Sequence, residues 1–167
     1  GSILMSGEEM LKLWNCAKNV PDGGVIVEIG TYKAGSAALL SHAVQEKNVT
    51  VYSVDNYSNE KLKEELITVE VNKGTLKSLE CKKVILFSGD SIKVADKFNK
   101  TIDMLFIDGS HDYKDVIADF EAWASKVRVG GIIAFHDYGS WPGVTQAVEE
   151  VLHQRKIADN SLIALIK

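Results

Sequence analysis

Apolar and polar positions along this chain change period repeatedly, because short β-branched runs of strand length alternate with stretches where apolar residues return every three or four positions. Ser6-Gly-Glu-Glu9 reads as a capping box that opens a helix with Met10, Leu13, Trp14 and Ala17 on one face. Pro21-Asp-Gly-Gly24 ends it. The β-branched run Val25 to Ile29 predicts a strand, followed by a glycine-bounded turn and a helix carrying Ala37, Leu40 and Val44. Val51 to Val54 predicts the next strand. Residues 62–79 read as one helix, against which Gly74 and the β-branched stretch 67–71 weigh. Val84 to Phe87, Ile102 to Ile107 and Ile132 to Phe135 read as strands, with a short helix from Ile92 to Phe98. Tyr113, Val116, Ile117, Phe120, Ala124 and Val127 form a helical stripe that Gly130-Gly131 is expected to close. A last helix begins just after Pro142, with Val144, Ala147, Val148, Val151 and Leu152 on one face. Leu162 to Ile166 predicts the final strand.

This order specifies an α/β fold: a doubly wound, mostly parallel sheet of the seven-strand type, helices on both faces, and an antiparallel C-terminal strand. One domain is expected over residues 3–167, with Gly1-Ser2 as the scar of a cleaved purification tag. Ligands of such sheets bind beyond the carboxyl ends of the strands, where strand order reverses. Those ends carry Glu28-Ile-Gly30, Asp55-Asn56, Ser88-Gly-Asp-Ser91, Asp108-Gly-Ser-His111 and His136-Asp137. A purely structural domain would need only turn formers there.

Composition narrows the partners. With 46% hydrophobic and 25% charged residues the chain has ordinary globular usage, and no apolar run is long enough to span a bilayer. No secretory signal pattern precedes the first helix, and Cys16 and Cys81 lack close-spaced partners, so reduced thiols and a cytoplasmic location are expected. A net charge of −4 gives no electrostatic reason to expect nucleic acid.

The first strand ends in Glu28-Ile-Gly-Thr-Tyr-Lys-Ala-Gly-Ser36. A phosphate-binding loop requires lysine where Ser36 stands, and a dinucleotide loop requires a middle glycine where Tyr32 stands. Glu28 would also repel phosphate. S-adenosylmethionine, with a sulfonium cation and no phosphate, suits an acidic residue beside a glycine turn. Free N–H groups where the helix opens near Gly35 and Ser36 could meet its carboxylate. The alternative is a tight turn in which glycine only permits an unusual backbone angle. Asp55 favours the ligand reading, since a carboxylate ending the second strand can accept both ribose hydroxyl protons, although it could equally cap a turn.

These residues resemble the class I, Rossmann-like S-adenosylmethionine-dependent methyltransferases. Val27-Glu-Ile-Gly-Thr-Tyr-Lys-Ala-Gly-Ser36 is similar to their first motif, Tyr52-Ser-Val-Asp55 to their second, and Phe87-Ser-Gly-Asp-Ser91 to their adenine-side loop. Phe106-Ile-Asp-Gly-Ser-His-Asp-Tyr113 and Gly130-Gly-Ile-Ile-Ala-Phe-His-Asp-Tyr138, with Pro142-Gly-Val144, resemble the branch related to macrolide-sugar O-methyltransferases and cephalosporin-hydroxylase-like proteins. The resemblance implies that Glu28, Gly30 and Ser36 surround the methionine end, Asp55 holds the ribose, Asp90 and Ser91 flank the adenine, and Asp108 lies toward the reacting centre. Tyr32, Asn56 and Gly89 complete the implied cofactor contacts. Metal-dependent relatives imply Asp108 and Asp137 as ligands of a divalent ion such as magnesium, with His136 a departure from oxygen ligands. The absence of an Asn-Pro-Pro-aromatic motif argues against methylation of amide or nucleobase nitrogen.

His111, His136 and Asp108 are the candidate catalytic residues. His111 is either a base or a helix-start residue bonded to backbone. His136 is a base, a metal ligand or a buried histidine satisfied by a neighbour. Asp112, Asp115 and Asp119 are expected on a solvated helix face, as are His42 and His153, and Trp141 either walls the substrate site or serves as a helix-entry device. The expected activity is O-methylation of a small-molecule hydroxyl, on a sugar or natural product. The alternative is a cofactor-binding module without turnover, and a homodimer or larger assembly is expected to cover the open rim.

Overall fold

The computed structural model describes residues 4–58, 60–153 and the backbone of 162–166; the expected tag scar lies outside them. Helix α1 (Gly7–Lys18) starts with the predicted capping box, with Glu9 N–H bonding Ser6 Oγ and the Glu9 carboxylate accepting from Ser6 N–H. Then come β1 (Val25–Ile29), α2 (Gly35–Ala43), β2 (Thr50–Asp55), α3 (Glu60–Glu64), α4 (Val69–Ser78), β3 (Val84–Ser88) and α5 (Ser91–Lys97). β4 (Ile102–Ile107), α6 (Tyr113–Trp123), a 3-10 turn (Ala124–Lys126), β5 (Val127–His136), α7 (Pro142–His153) and β6 (Leu162–Ile166) follow.

The six strands of the described residues lie in the order β3-β2-β1-β4-β5-β6, and every pairing is parallel. Two expectations fail here: there is no seventh strand among these residues, and β6 runs parallel to β5. Helix α7 accounts for the second. It crosses the sheet face between the two strands, as a parallel connection requires.

Two further boundaries differ from expectation. Residues 62–79 do not form one helix; Leu66 takes a left-handed φ of 55° and Thr68 caps a new helix. Gly130-Gly131 does not close α6, which gives way at Trp123 to the 3-10 turn; both glycines belong to β5. Register with β4 slips between Ile102 and Met104, and a Cβ on Gly131 would sit 2.6 Å from Val127 Cγ1. The pair therefore serves an irregularity in a strand.

Apolar side chains alternate across the sheet to feed two cores. On one face Val27, Ile29, Leu105, Ile133 and Phe135 pack against Phe120 and Trp123 of α6 and Val148 of α7. On the other, Ile26, Phe106 and Ala134 meet Leu13 of α1 and Leu40 of α2. The change of face occurs between β1 and β4, which puts the topological switch point above Gly30 and Asp108. No helix among the described residues is long and apolar enough to cross a membrane.

Candidate active site

A cleft of about 480 Å³ opens at that switch point, within the range of small-molecule sites. It is bordered by the ends of β1, β2, β3 and β4 and by α6. Of the predicted cofactor residues, Gly30, Tyr32, Asp55, Asn56, Gly89, Asp90, Ser91 and Asp108 line it. Glu28 and Ser36 are not among its lining.

Its floor is a strained turn held by a carboxylate. Gly30, Tyr32 and Ala34 have φ of 97°, 46° and 60°, and the last two are costly for residues with a Cβ. Asp55 holds them: its Oδ2 accepts from the N–H groups of Thr31 at 3.0 Å and Tyr32 at 2.9 Å, and Oδ1 accepts from Tyr57 N–H at 2.7 Å. Asp55 is thus both a cleft-lining carboxylate and the clamp of the glycine turn. A Cβ on Gly30 would stand 2.2 Å from the Asp108 carbonyl oxygen, so β1 and β4 can approach only with glycine there.

Glu28 lies beneath this turn, fully buried. It accepts a hydrogen bond from Ser53 Oγ, which is itself 2.7 Å from Thr31 Oγ1. Burial pushes its carboxyl up to about 8, with Asp108 and Asp55 adding to the rise against the Ser36 and Ser53 hydroxyls. The resemblance implied that Glu28 surrounds the methionine end, whereas here it lies beneath the turn and does not line the cleft. Ser36 is buried with it.

At the β4 and β5 ends, Asp108, His111, His136 and Asp137 come together, as the sequence required. His136 Nδ1 is 2.9 Å from Asp108 Oδ1 and 3.3 Å from Asp137 Oδ2, and its Nε2 is 3.4 Å from Glu9 Oε1 of α1. Burial acts to lower the pKa of this imidazole, but the three carboxylates outweigh it and push it up to about 9. His136 is a cation near neutral pH. That favours the reading of His136 as a buried histidine satisfied by its neighbours, because an imidazolium has no lone pair to offer as a base. Burial raises the Asp108 carboxyl, and its hydrogen bond with His136 pulls the other way.

His111 is placed differently. It lines the cleft, its side chain is 43% exposed, its Nε2 lies 3.0 Å from Asp137 Oδ2, and its ring stacks on Trp141 with centroids 4.2 Å apart. Gly143 permits this packing: a Cβ there would be 2.4 Å from the His111 carbonyl, so the start of α7 presses directly on the His111 loop. Asp137 adopts a φ of 60°, in the region that aspartate tolerates better than most residues.

Asp119 is a residue the sequence reading misplaced. It is 8% exposed, lines the cleft, and accepts a hydrogen bond from Ser91 Oγ. Burial drives its carboxyl up to about 6, opposed by the Ser91 bond and reinforced by Asp115 and Asp90. The available signal was position, since Asp119 falls between Val116 and Phe120 on the buried stripe of α6. His42 is also half-buried, its Nε2 3.6 Å from Cys81 Sγ, and does not occupy a solvated face. His153 is exposed as expected.

Asp108, His136 and Asp137 each offer a ligand atom, all within 4.8 Å of one another, so this set can hold a metal ion. Asp108 and Asp137 supply the oxygen donors that magnesium prefers. His136 Nδ1 already hydrogen-bonds Asp108 Oδ1, and an ion would compete with that contact.

A family profile described as "Methyltransferase domain" matches residues 27–138. An uncharacterised protein of Acanthamoeba polyphaga mimivirus is 30% identical over 133 residues, which is 75% of this chain and 58% of that protein. The chain therefore spans less than two thirds of that relative's length. Among solved structures, the O-methyltransferase NovP superposes with a TM-score of 0.74 at 21% identity, over 91% of this chain and 74% of that one. An rRNA methylase from Streptococcus thermophilus superposes with a TM-score of 0.63 at 14% identity, over 90% and 81%. At these identities the structural likeness is one of fold.

Proposed function

We propose, for a chain that belongs to the methyltransferase-domain family, the class I S-adenosylmethionine-dependent methyltransferases, that it methylates a hydroxyl oxygen of a small molecule with His111 as proton acceptor. The observation that carries this reading is the His111–Asp137 pair at the rim of the cofactor cleft.

The cleft fits the cofactor. Its volume, the carboxylate at Asp55, the apolar lining of Ile29, Val54 and Ile92, and the absence of a lysine or arginine among its lining residues match an adenosyl amino acid without phosphate. Gly30, Tyr32, Asp55, Asn56, Gly89, Asp90, Ser91 and Asp108 would hold it. When bound, the cofactor supplies an electrophilic methyl group on a sulfonium. The protein's part is alignment and removal of one proton. With Nε2–H donating to Asp137, Nδ1 of His111 is left as the acceptor. During methyl transfer Nδ1 of His111 would accept the hydroxyl proton, and Asp137 would stabilise the imidazolium formed. Trp141 fixes the ring plane. His136, already protonated, offsets part of the charge of Asp108 and Asp137 without entering the proton transfer.

The fold also carries rRNA methylation in a neighbour, but this cleft is lined by Asp55, Asp90, Asp108, Asp115 and Asp119, a negative surface that repels a phosphate backbone. A small, uncharged hydroxyl compound suits it. A metal-assisted route is favoured by one observation, the close grouping of Asp108, His136 and Asp137. A divalent ion held there would acidify the substrate hydroxyl and make a protein base unnecessary. Turnover measured on a panel of sugars and phenols, with and without a chelator, tests the reading. Activity that survives chelation and is lost in His111→Ala supports the base; activity lost to the chelator and restored by magnesium supports the metal. Cofactor binding without turnover of any hydroxyl substrate would instead indicate a binding module.

A further inference from the structure

The cofactor cleft ends in a buried acid that the methyl-transfer reading leaves without a task. Asp119 comes from α6, the helix after β4, yet it reaches the part of the cleft that β3 and α5 border. Ser91 Oγ occupies its Oδ1, which fixes the carboxyl plane. Among the described residues no hydrogen bond is made to Oδ2, which lies 3.5 Å from where a Cβ on Gly109 would stand.

The line of the strand ends orders the ligand. His111 and Asp137 set the reacting end beside β4 and β5, and Asp55 stands one strand beyond the glycine turn. A molecule running from the first to the second continues toward β3, where Ile92 and Ala118 add apolar lining beside Asp119. A flat heterocycle there has apolar groups beside its faces and a carboxyl at its edge. Asp90 also borders this end, but it is exposed and its Oδ1 caps α5 by accepting from Lys93 N–H at 3.1 Å. Hydrogen bonds to a desolvated acceptor discriminate more strongly than those to a solvated one, because a mismatched partner leaves a buried group unpaired.

We propose that Asp119 reads the edge of the cofactor's base, accepting a 6-amino hydrogen through Oδ2 and thereby selecting a 6-amino over a 6-oxo purine. The proposal rests on the cofactor reading above. A 6-oxo group would set its oxygen lone pairs against the carboxyl oxygen Oδ2.

The test is calorimetric titration of the whole chain with S-adenosylhomocysteine and S-inosylhomocysteine. The wild type is expected to prefer the adenosyl ligand by roughly 10- to 100-fold, the range of one charge-assisted hydrogen bond. Asp119→Asn, whose amide can turn to donate or accept, is expected to bring the two affinities within about 3-fold. Ser91→Ala, which frees the carboxyl to rotate without removing it, is expected to narrow the preference part of the way, and serves where Asp119→Asn fails to fold. Equal binding of both ligands by the wild type overturns the proposal and leaves the cofactor reading standing. An unchanged preference in a folded Asp119→Asn does the same. Failure of the wild type to bind S-adenosylhomocysteine overturns both.

Discussion

Nδ1 of His136 lies 2.9 Å from Oδ1 of Asp108, and this contact joins the ends of two adjacent parallel strands through a part-buried ion pair. It separates the two histidines of the site into different tasks. His136 sits among Asp108, Asp137 and Glu9; His111 pairs with Asp137, stacks on Trp141 and opens to the cleft, where the proposed reading makes it the proton acceptor.

Replacing each histidine should expose that division. His111→Ala is expected to lower kcat by roughly 10²- to 10⁴-fold while leaving S-adenosylhomocysteine affinity and the melting temperature near wild type. His136→Ala should behave in the opposite way. It leaves the part-buried carboxylates of Asp108 and Asp137 without their counter-charge, at a cost of about 1 to 3 kcal/mol by chemical denaturation. A fully active His111→Ala protein would remove the proposed base.

Asp55 couples ligand binding to the geometry of the turn. Asp55→Ala is expected to weaken S-adenosylhomocysteine binding by roughly one to two decades, since it removes a charge-assisted acceptor and releases the N–H groups of Thr31, Tyr32 and Tyr57. Calorimetry on the folded variant measures this, and unchanged affinity would contradict the assignment.

Gly30→Ala should disrupt the same place sterically. The new Cβ would meet the Asp108 carbonyl at 2.2 Å on a backbone held at φ 97°, where neither partner can turn aside. A loss of about 2 kcal/mol or more is expected in urea denaturation, together with loss of cofactor binding.

Glu28 gives a pH dependence with a definite sign. Its folded pKa, about 8, stands above its ordinary value near 4.5, so above the lower value the folded chain binds more protons than the unfolded one. Stability from this group is complete below about pH 4.5 and falls as pH rises toward 8. Glu28→Gln keeps a neutral polar group in the same space and should flatten that part of the melting-temperature profile, raising stability most near pH 8. A profile with the same slope in both proteins would show that Glu28 is ionised at ordinary cost.

The periods of the apolar residues and the turn formers between them determined the helix and strand order, the placement of polar groups at strand ends and the capping box at Ser6. These depend on neighbours a few positions away, and a single chain displays them. The same local view failed where long-range contacts decide. Gly130-Gly131 looked like a helix stop but accommodates a register slip against β4, and Asp119 looked like one of three solvated acids until α6 docked beside α5 and turned it inward. The direction of β6 followed from α7 crossing the sheet, which no local pattern encodes.

At the site, the sequence determined which chemistry was on offer: a glycine turn without a phosphate-binding lysine, a carboxylate after β2, and a histidine and aspartate after each of two strands. Only the tertiary structure decided how those groups share the work. Glu28 became a buried neutral acid because the turn folded over it; Asp55 became a clamp because three N–H groups converge on it. His136 is pushed toward its protonated form because carboxylates of Glu9, Asp108 and Asp137 surround it, whereas His111 lies at the exposed rim of the cleft beside Asp137. The physical reason is that protonation and exposure are set by desolvation and by charges a few ångströms away in space, and those distances exist only once the strands are aligned.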